Sequence, residues 1–262
     1  MPYIANTPDD QREMLAAIGV DSIEDLFAPI PAALRFQRSL DIPPALGELE
    51  LTAHLSSLAA RNAPAGQKIC FLGGGSYDHF IPAVVDAIAS RGEFYTSYTP
   101  YQPEASQGNL QAFFEYQTLI TQLTGMDVSN ASLYDGGSAV AEAVLMAISV
   151  TGRRRVVTAA SVHPEYRATL ATYFQHLDGE VIAVPAPNGV VSTADLAAAL
   201  DGDTACIVIQ QPNFFGCIEE LAKLAALAHD VGALVIAAVD PLSLGLLKRP
   251  GECGVDIVVA EG

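Results

Sequence analysis

At 262 residues, half of them hydrophobic, the chain is long enough to bury a full core as one large domain, with or without a small extension, and its composition excludes disorder. Thirteen basic residues against 30 acidic ones leave a net charge of -17, which repels phosphate backbones and anionic lipid and argues against a nucleic-acid partner. No apolar run approaches a membrane span, and the opening MPYIANTPDDQREM is polar and acidic rather than signal-like, so a cytoplasmic protein is expected.

Residues 1–66 read as a Pro-punctuated helical arm. In NTPDDQREMLAAIGV, Thr7 is a capping residue, Pro8 takes the first helical position, acids fill the first turn and Gly19 marks the stop. SIEDLFAPI and GELELTAHLSSLAARN repeat the pattern around DIPPAL. Such an arm either wraps a neighbour or packs on its own domain, and both readings stay open. The large domain is expected over 67–262.

TSYTPYQPEASQGN, residues 96–109, is neither helix interior nor central strand, because Pro100 and Pro103 fix the backbone and remove amide donors. It is expected to be an ordered loop displaying Tyr98, Tyr101, Gln102, Glu104, Ser106 and Gln107, and loops of this kind carry function. From about residue 107 helical and strand patterns alternate. GNLQAFFEYQTLITQLTG and SAVAEAVLMAISVTG are helices; RRVVTAA is a strand and HPEYRATLATYFQHL a helix. EVIAVPA, TADLAAAL, TACIVIQ, IEELAKLAALAHDVG, ALVIAAVD and VDIVVAE continue the alternation. Short apolar strands between amphipathic helices predict a doubly wound α/β fold, its mostly parallel sheet covered on both faces. The run Arg153-Arg154-Arg155 follows a helix, where positive charge suits the macrodipole, and is read as structural. Cys70, Cys206, Cys217 and Cys253 have no paired spacing, which favours buried free thiols over a metal site or disulfides. VDIVVAEG stops directly after a strand with no closing helix or small domain, so a fragment is expected.

Open α/β sheets bind ligands beyond the carboxyl ends of their strands, and four places there carry candidate chemistry. Asp135-Gly136-Gly137-Ser138 opens a helix, so Gly137 and the Ser138 hydroxyl suit a phosphate cradle; alone, the motif reads rather as an ordinary N-cap. His163 lies at a helix start after VVTAASV, placed to stack on a flat ring or exchange a proton, although a lone His before Pro is usually a plain loop residue. Asn213, in QQPNFFG, is placed to hydrogen-bond a ligand, and Asp240 ends ALVIAAV, where a carboxylate can pair with a protonated ring nitrogen. Individually weak, these four gain weight as an ordered set at successive strand ends.

That order resembles the large domain of fold-type I pyridoxal phosphate (PLP) enzymes. There the glycine-rich helix start holds the phosphate, a His or aromatic stacks on the ring, an Asn contacts its hydroxyl, an Asp pairs with the pyridine nitrogen, and a Lys on a later strand forms the Schiff base. GSYDHFIPAVVDAI, EFYTSYTPYQPEASQGNLQAFFEYQTLITQLTGMDVSNASLYDG, HPEYRATLATY, QQPNFFGCIEELA and AVDPLSLGLLKRPGECGVDIVVAEG sharpen the likeness. They are similar to glycine dehydrogenase (decarboxylating), the P-protein of the glycine cleavage system, and in particular to the separate N-terminal chain, subunit 1, of its two-chain form. The likeness covers nearly the whole chain.

The lysines are Lys68, Lys223 and Lys248, and none follows a late strand as a Schiff-base Lys should. The resemblance therefore implies the non-lysine subunit, inactive alone, with PLP on glycine dehydrogenase subunit 2. In the complex, glycine is decarboxylated and its aminomethyl group passes to the lipoyl arm of H-protein. Gly137, Ser138, His163, Asn213 and Asp240 are then remnants of a duplicated site. Loop 96–109 either reaches the partner's cofactor site or only stabilises the pairing. Two other readings stand beside this one: a purely structural interaction subunit, and a self-sufficient PLP enzyme whose Lys lies outside the sequence given. No metal is implied.

Overall fold

The protein is represented by a computed structural model that describes residues 6–36, 38–71, 73–74 and 77–262; residues 1–5 of the N-terminal stretch, and Gly75 and Ser76 of GSYDHF, lie outside the described residues. The chain divides into two units, Met1–Ala63 and Pro64–Gly262.

The first unit is helical. Helix α1 (Pro8–Ile18) starts where the capping residues predict: the Asp10 amide donates to the Thr7 hydroxyl at 3.2 Å and the Thr7 amide donates to the Asp10 carboxylate at 2.7 Å. Gly19 closes it at φ +85°, a left-handed conformation that a Cβ would strain. Ser22 and Asp25 repeat the reciprocal cap on a 3₁₀ turn, Ile23–Phe27, rather than on an α-helix. Helix α2 is Glu48–Ala59.

In the second unit, α3 (Ala83–Ala89) and α4 (Gly92–Tyr95) are short and are followed by the segment 96–109, which is a loop only as far as Ser106; Gln107, Gly108 and Asn109, expected in that loop, form the first turn of the next helix, because Pro100 and Pro103 bar a helix only up to that point. Helix α5 (Gln107–Thr124) and helix α6 (Gly136–Thr151) then lead into the sheet. Its elements are β1 (Arg155–Ala159), α7 (Pro164–Phe174), β2 (Glu180–Val184), α8 (Thr193–Ala199), β3 (Thr204–Gln211), α9 (Leu221–Asp230), β4 (Leu234–Val239) and β5 (Ile257–Ala260). The order β2-β1-β3-β4-β5 is parallel throughout, as continuous apolar strands between helices require. Helix α6 packs on α7 and on β3, β4 and β5, while α8 packs on α9 and α9 on β3 and β4. Because parallel crossovers are right-handed, the leftward step through α7 and the rightward steps through α8 and α9 put these helices on opposite faces.

The core sits between these layers. Ile207, Ile209, Ile236, Val156 and Val157 are fully buried, each such side chain contributing roughly 1.5–3 kcal/mol. The four cysteines are free, but Cys206 alone is buried, its thiol pushed up to about 12 by burial, and Cys70 is exposed; the expectation of uniformly buried thiols is corrected. Arg153, Arg154 and Arg155 lie at the amino ends of the strands. Arg153 donates to the carbonyls of Thr204 at 3.0 Å and Val231 at 2.9 Å, so it caps α9 rather than α6, while Arg154 pairs with Asp178 and Arg155 with Asp201.

Candidate functional site

The connection from β1 steps one way across the sheet and that from β3 the other, and at such a switch point the loops leaving the two strands diverge and open a crevice. Here the crevice is filled by the chain itself. The Phe214 amide donates to the Ser161 carbonyl at 2.9 Å, and the His163 amide donates to Gln210 Oε1 at 2.7 Å. The His163 ring stacks on Tyr166, with centroids 4.8 Å apart and planes inclined by 26°, and meets Phe214 edge-on at 5.0 Å. Its Nδ1 accepts the Glu165 amide at 3.1 Å, which leaves Nε2 to donate to the Gly74 carbonyl at 3.2 Å.

Asn213 is fully buried and uses its amide on both sides. Nδ2 donates to the Gly189 carbonyl at 2.6 Å and to Glu219 Oε1 at 2.7 Å, while Oδ1 accepts the Phe215 and Cys217 amides, each at 3.0 Å. Glu219, also buried, accepts from the Ser161 hydroxyl at 2.8 Å and the Val191 amide at 3.1 Å. This network ties three loops together, and the Asn213 amide group has no bonding capacity left for a ligand.

At the start of α6, Asp135 accepts the Ser138 amide at 2.7 Å and the Ser138 hydroxyl at 3.0 Å. The Ser138 amide, then its hydroxyl, holds the Asp135 carboxyl below its ordinary value of 3.8. Glu261, just beyond β5, accepts the Gly136 amide at 3.1 Å and the Tyr166 hydroxyl at 2.8 Å through one oxygen. Burial, followed by the hydrogen bond to Glu261 and the charges of Glu261 and Asp135, raises the Tyr166 phenol above its usual range. Asp240 accepts the Leu242 amide at 3.0 Å and lies 3.8 Å from His79 Nε2.

His163 thus stacks on Tyr166, which shares Glu261 with Gly136; Ser138 is held by Asp135 and Gly137 lies against Thr169, Asp240 stands beside His79, and Asn213 belongs to a separate buried network. Loop 96–109 differs. Tyr98 is 90% exposed and Tyr101 76% exposed, and Gln102, Glu104 and Gln107 are exposed as well. The loop holds itself by backbone, with the Ala105 and Ser106 amides donating to the Gln102 carbonyl at 3.0 and 2.9 Å, and by Asn109 Nδ2 donating to the Ser97 hydroxyl at 3.1 Å. Among the described residues no hydrogen bond, ion pair or ring contact joins its side chains to the strand-end cluster.

A sequence model described as glycine cleavage system P-protein matches residues 1–262. The chain belongs to that P-protein family. Among curated P-protein relatives, it is 55% identical over 262 residues to a probable glycine dehydrogenase (decarboxylating) subunit 1 of Geotalea uraniireducens, and 51% identical to that of Desulforamulus reducens. The match takes in 100% of this chain but 58% and 59% of those relatives' own lengths. A crystal structure of glycine decarboxylase (P-protein) in inhibitor-bound form superposes over 100% of this chain and 58% of that one, with TM-score 0.84 and 46% identity. A sphingosine-1-phosphate lyase from Burkholderia pseudomallei, at TM-score 0.59 and 18% identity over 88% of this chain, shares the fold alone.

Within this P-protein chain, reasoning from residues alone missed Tyr166, Glu261, Gln210, Glu219 and His79. Glu261 carried a usable signal, since it ends an apolar strand just as Asp240 does. Tyr166 lies three residues past His163, the spacing that puts two side chains on one helical face. The partners of Gln210, Glu219 and His79 come from distant loops, and no local pattern announces them.

Proposed function

We propose that this chain is the non-lysine subunit of a cytoplasmic two-subunit glycine dehydrogenase (decarboxylating). In this reading PLP is carried by subunit 2, glycine is the substrate, and the lipoyl arm of H-protein receives the aminomethyl group. The reading rests on the P-protein family match joined to one observation: among the described residues no lysine stands at the carboxyl end of a strand. Lys223 lies within α9 and pairs with Glu220, Lys248 lies between two 3₁₀ turns, Pro241–Gly245 and Pro250–Cys253, and Lys68 follows another, Ala65–Gln67. PLP supplies an electron sink for loss of carbon dioxide from an amino acid.

Within this proposal, the chain's part is played across the subunit boundary. Loop 96–109 offers the Tyr98 and Tyr101 hydroxyls as donors and the Glu104 carboxylate as acceptor, none of them engaged by another of the described residues. The same unit leaves large apolar side chains in solvent, Phe71 at 94%, Phe80 at 90% and Tyr134 at 100% exposure, and exposed rings of that size call for a covering protein surface. Gln102, Ser106 and Gln107 flank the tyrosines and are proposed to position glycine or the lipoyl arm.

The test is glycine–bicarbonate exchange by the purified natural chain, by subunit 2, and by their mixture. Exchange is expected from the mixture and absent from this chain by itself. Exchange by this chain alone would overturn the reading in favour of a self-sufficient enzyme.

A further inference from the structure

The α6 N-terminus is the counterpart of the helix start that holds a phosphate in fold-type I PLP proteins, and the Gly136 and Ser138 donors there are already taken. The Gly136 amide faces Glu261, and the Ser138 amide and hydroxyl both face Asp135. The Tyr166 hydroxyl, the nearest side-chain donor beside the turn, also faces Glu261. Two carboxylates therefore occupy the positive end of the helix, where the macrodipole favours an anion. Space is taken as well as charge. A methyl built on Gly136 would collide with the Tyr166 hydroxyl and stand 2.6 Å from Glu261 Oε1, and one on Gly137 would stand 3.0 Å from Thr169 Oγ1. The paired glycines are thus explained by close approach of this chain's own side chains, without any ligand.

We infer that Glu261 is a built-in occupant of this anion cradle, and that its carboxylate closes the chain to the phosphate of PLP. The residues present do not fit that group. Glu261 also joins the end of β5 to the start of α6 and the first turn of α7, so the carboxyl end of that strand is tied down by an acid. The P-protein reading supplies only the identity of the excluded ligand; the place of the carboxylate rests on geometry.

The experiment titrates the natural full-length chain with inorganic phosphate and, separately, with pyridoxal 5′-phosphate, by isothermal calorimetry and by the ligand-dependent rise in Tm. Wild type is expected to show no saturable binding of either. Glu261→Ala, which removes the charge and vacates the space, is expected to bind phosphate at least about tenfold more tightly than wild type, with a phosphate-dependent rise in Tm. Glu261→Gln keeps the size and removes the charge, so it serves should the alanine variant fail to fold, with a smaller gain in the same direction. Saturable binding of either ligand by wild type, or folded variants that bind no better than wild type, would overturn the inference. Failure of the functional reading would instead show as absent exchange in the assembled pair, with these isotherms unchanged.

Discussion

The carboxyl ends of the strands and loop 96–109 are both rich in polar side chains, yet they spend them in opposite ways. At the strand ends, Asn213, Glu219, Ser138 and Glu261 bond to other parts of the same chain, and His163 is sandwiched between Gln210, Tyr166 and Phe214. In the loop, Tyr98, Tyr101 and Glu104 stand in solvent on a backbone stiffened by Pro100 and Pro103. A buried polar group that satisfies its neighbours specifies structure, whereas an exposed one on a fixed loop is free to meet another molecule. The strand ends, where this fold usually places a ligand, are bonded within the chain here, and the chemistry is proposed to lie elsewhere.

That contrast predicts that substitutions at the strand ends act on stability. The largest effect is expected at Asn213. Asn213→Ala strands the Phe215 and Cys217 amides, the Gly189 carbonyl and one bond of buried Glu219, and should cost about 3 kcal/mol in the urea unfolding free energy. A loss near zero would mean that the amide is not a structural tie and would return Asn213 to the list of ligand contacts. A smaller, pH-dependent effect is expected at Tyr166. Its phenol is held above the ordinary 10.0, first by burial and then by Glu261, so the stability it contributes is complete below that value and is lost as pH climbs through the higher folded pKa. Thermal melts between about pH 9 and about pH 11 should therefore show a steeper alkaline decline for wild type than for Tyr166→Phe. Parallel declines would show that the folded chain does not hold the Tyr166 phenol above its ordinary value.

The elements themselves were largely legible from local pattern. Thr7, Pro8, Asp10 and Gly19 announce α1 because caps act within a few residues, and the strand and helix alternation from 155 to 260 follows from burial on both sheet faces. SIEDLFAPI carries the same capping signal but yields only a 3₁₀ turn, its apolar run broken by Pro29 and Pro31 before a second α-turn can form. The candidate site was legible as a set of strand ends but not as a set of bonds. Glu261 meets Tyr166 across 95 residues and Gly136 across 125, and such pairings depend on sheet order, which periodicity does not encode. The exposed tyrosine loop stood out because two prolines and six polar or aromatic candidates within 14 residues have no use in a core.

The claim that this chain acts through loop 96–109 on chemistry held by its partner is tested most directly by replacing Tyr98, Tyr101 and Glu104 with alanine in the assembled two-subunit complex. Glycine–bicarbonate exchange, the Tm of the complex and its elution by size exclusion are measured on the same preparation. The account predicts that exchange falls by about 100-fold or more, the scale of positioned donors and acids, while Tm and assembly stay at wild-type values. Exchange at the wild-type rate in an intact complex would contradict it and leave this chain a structural subunit.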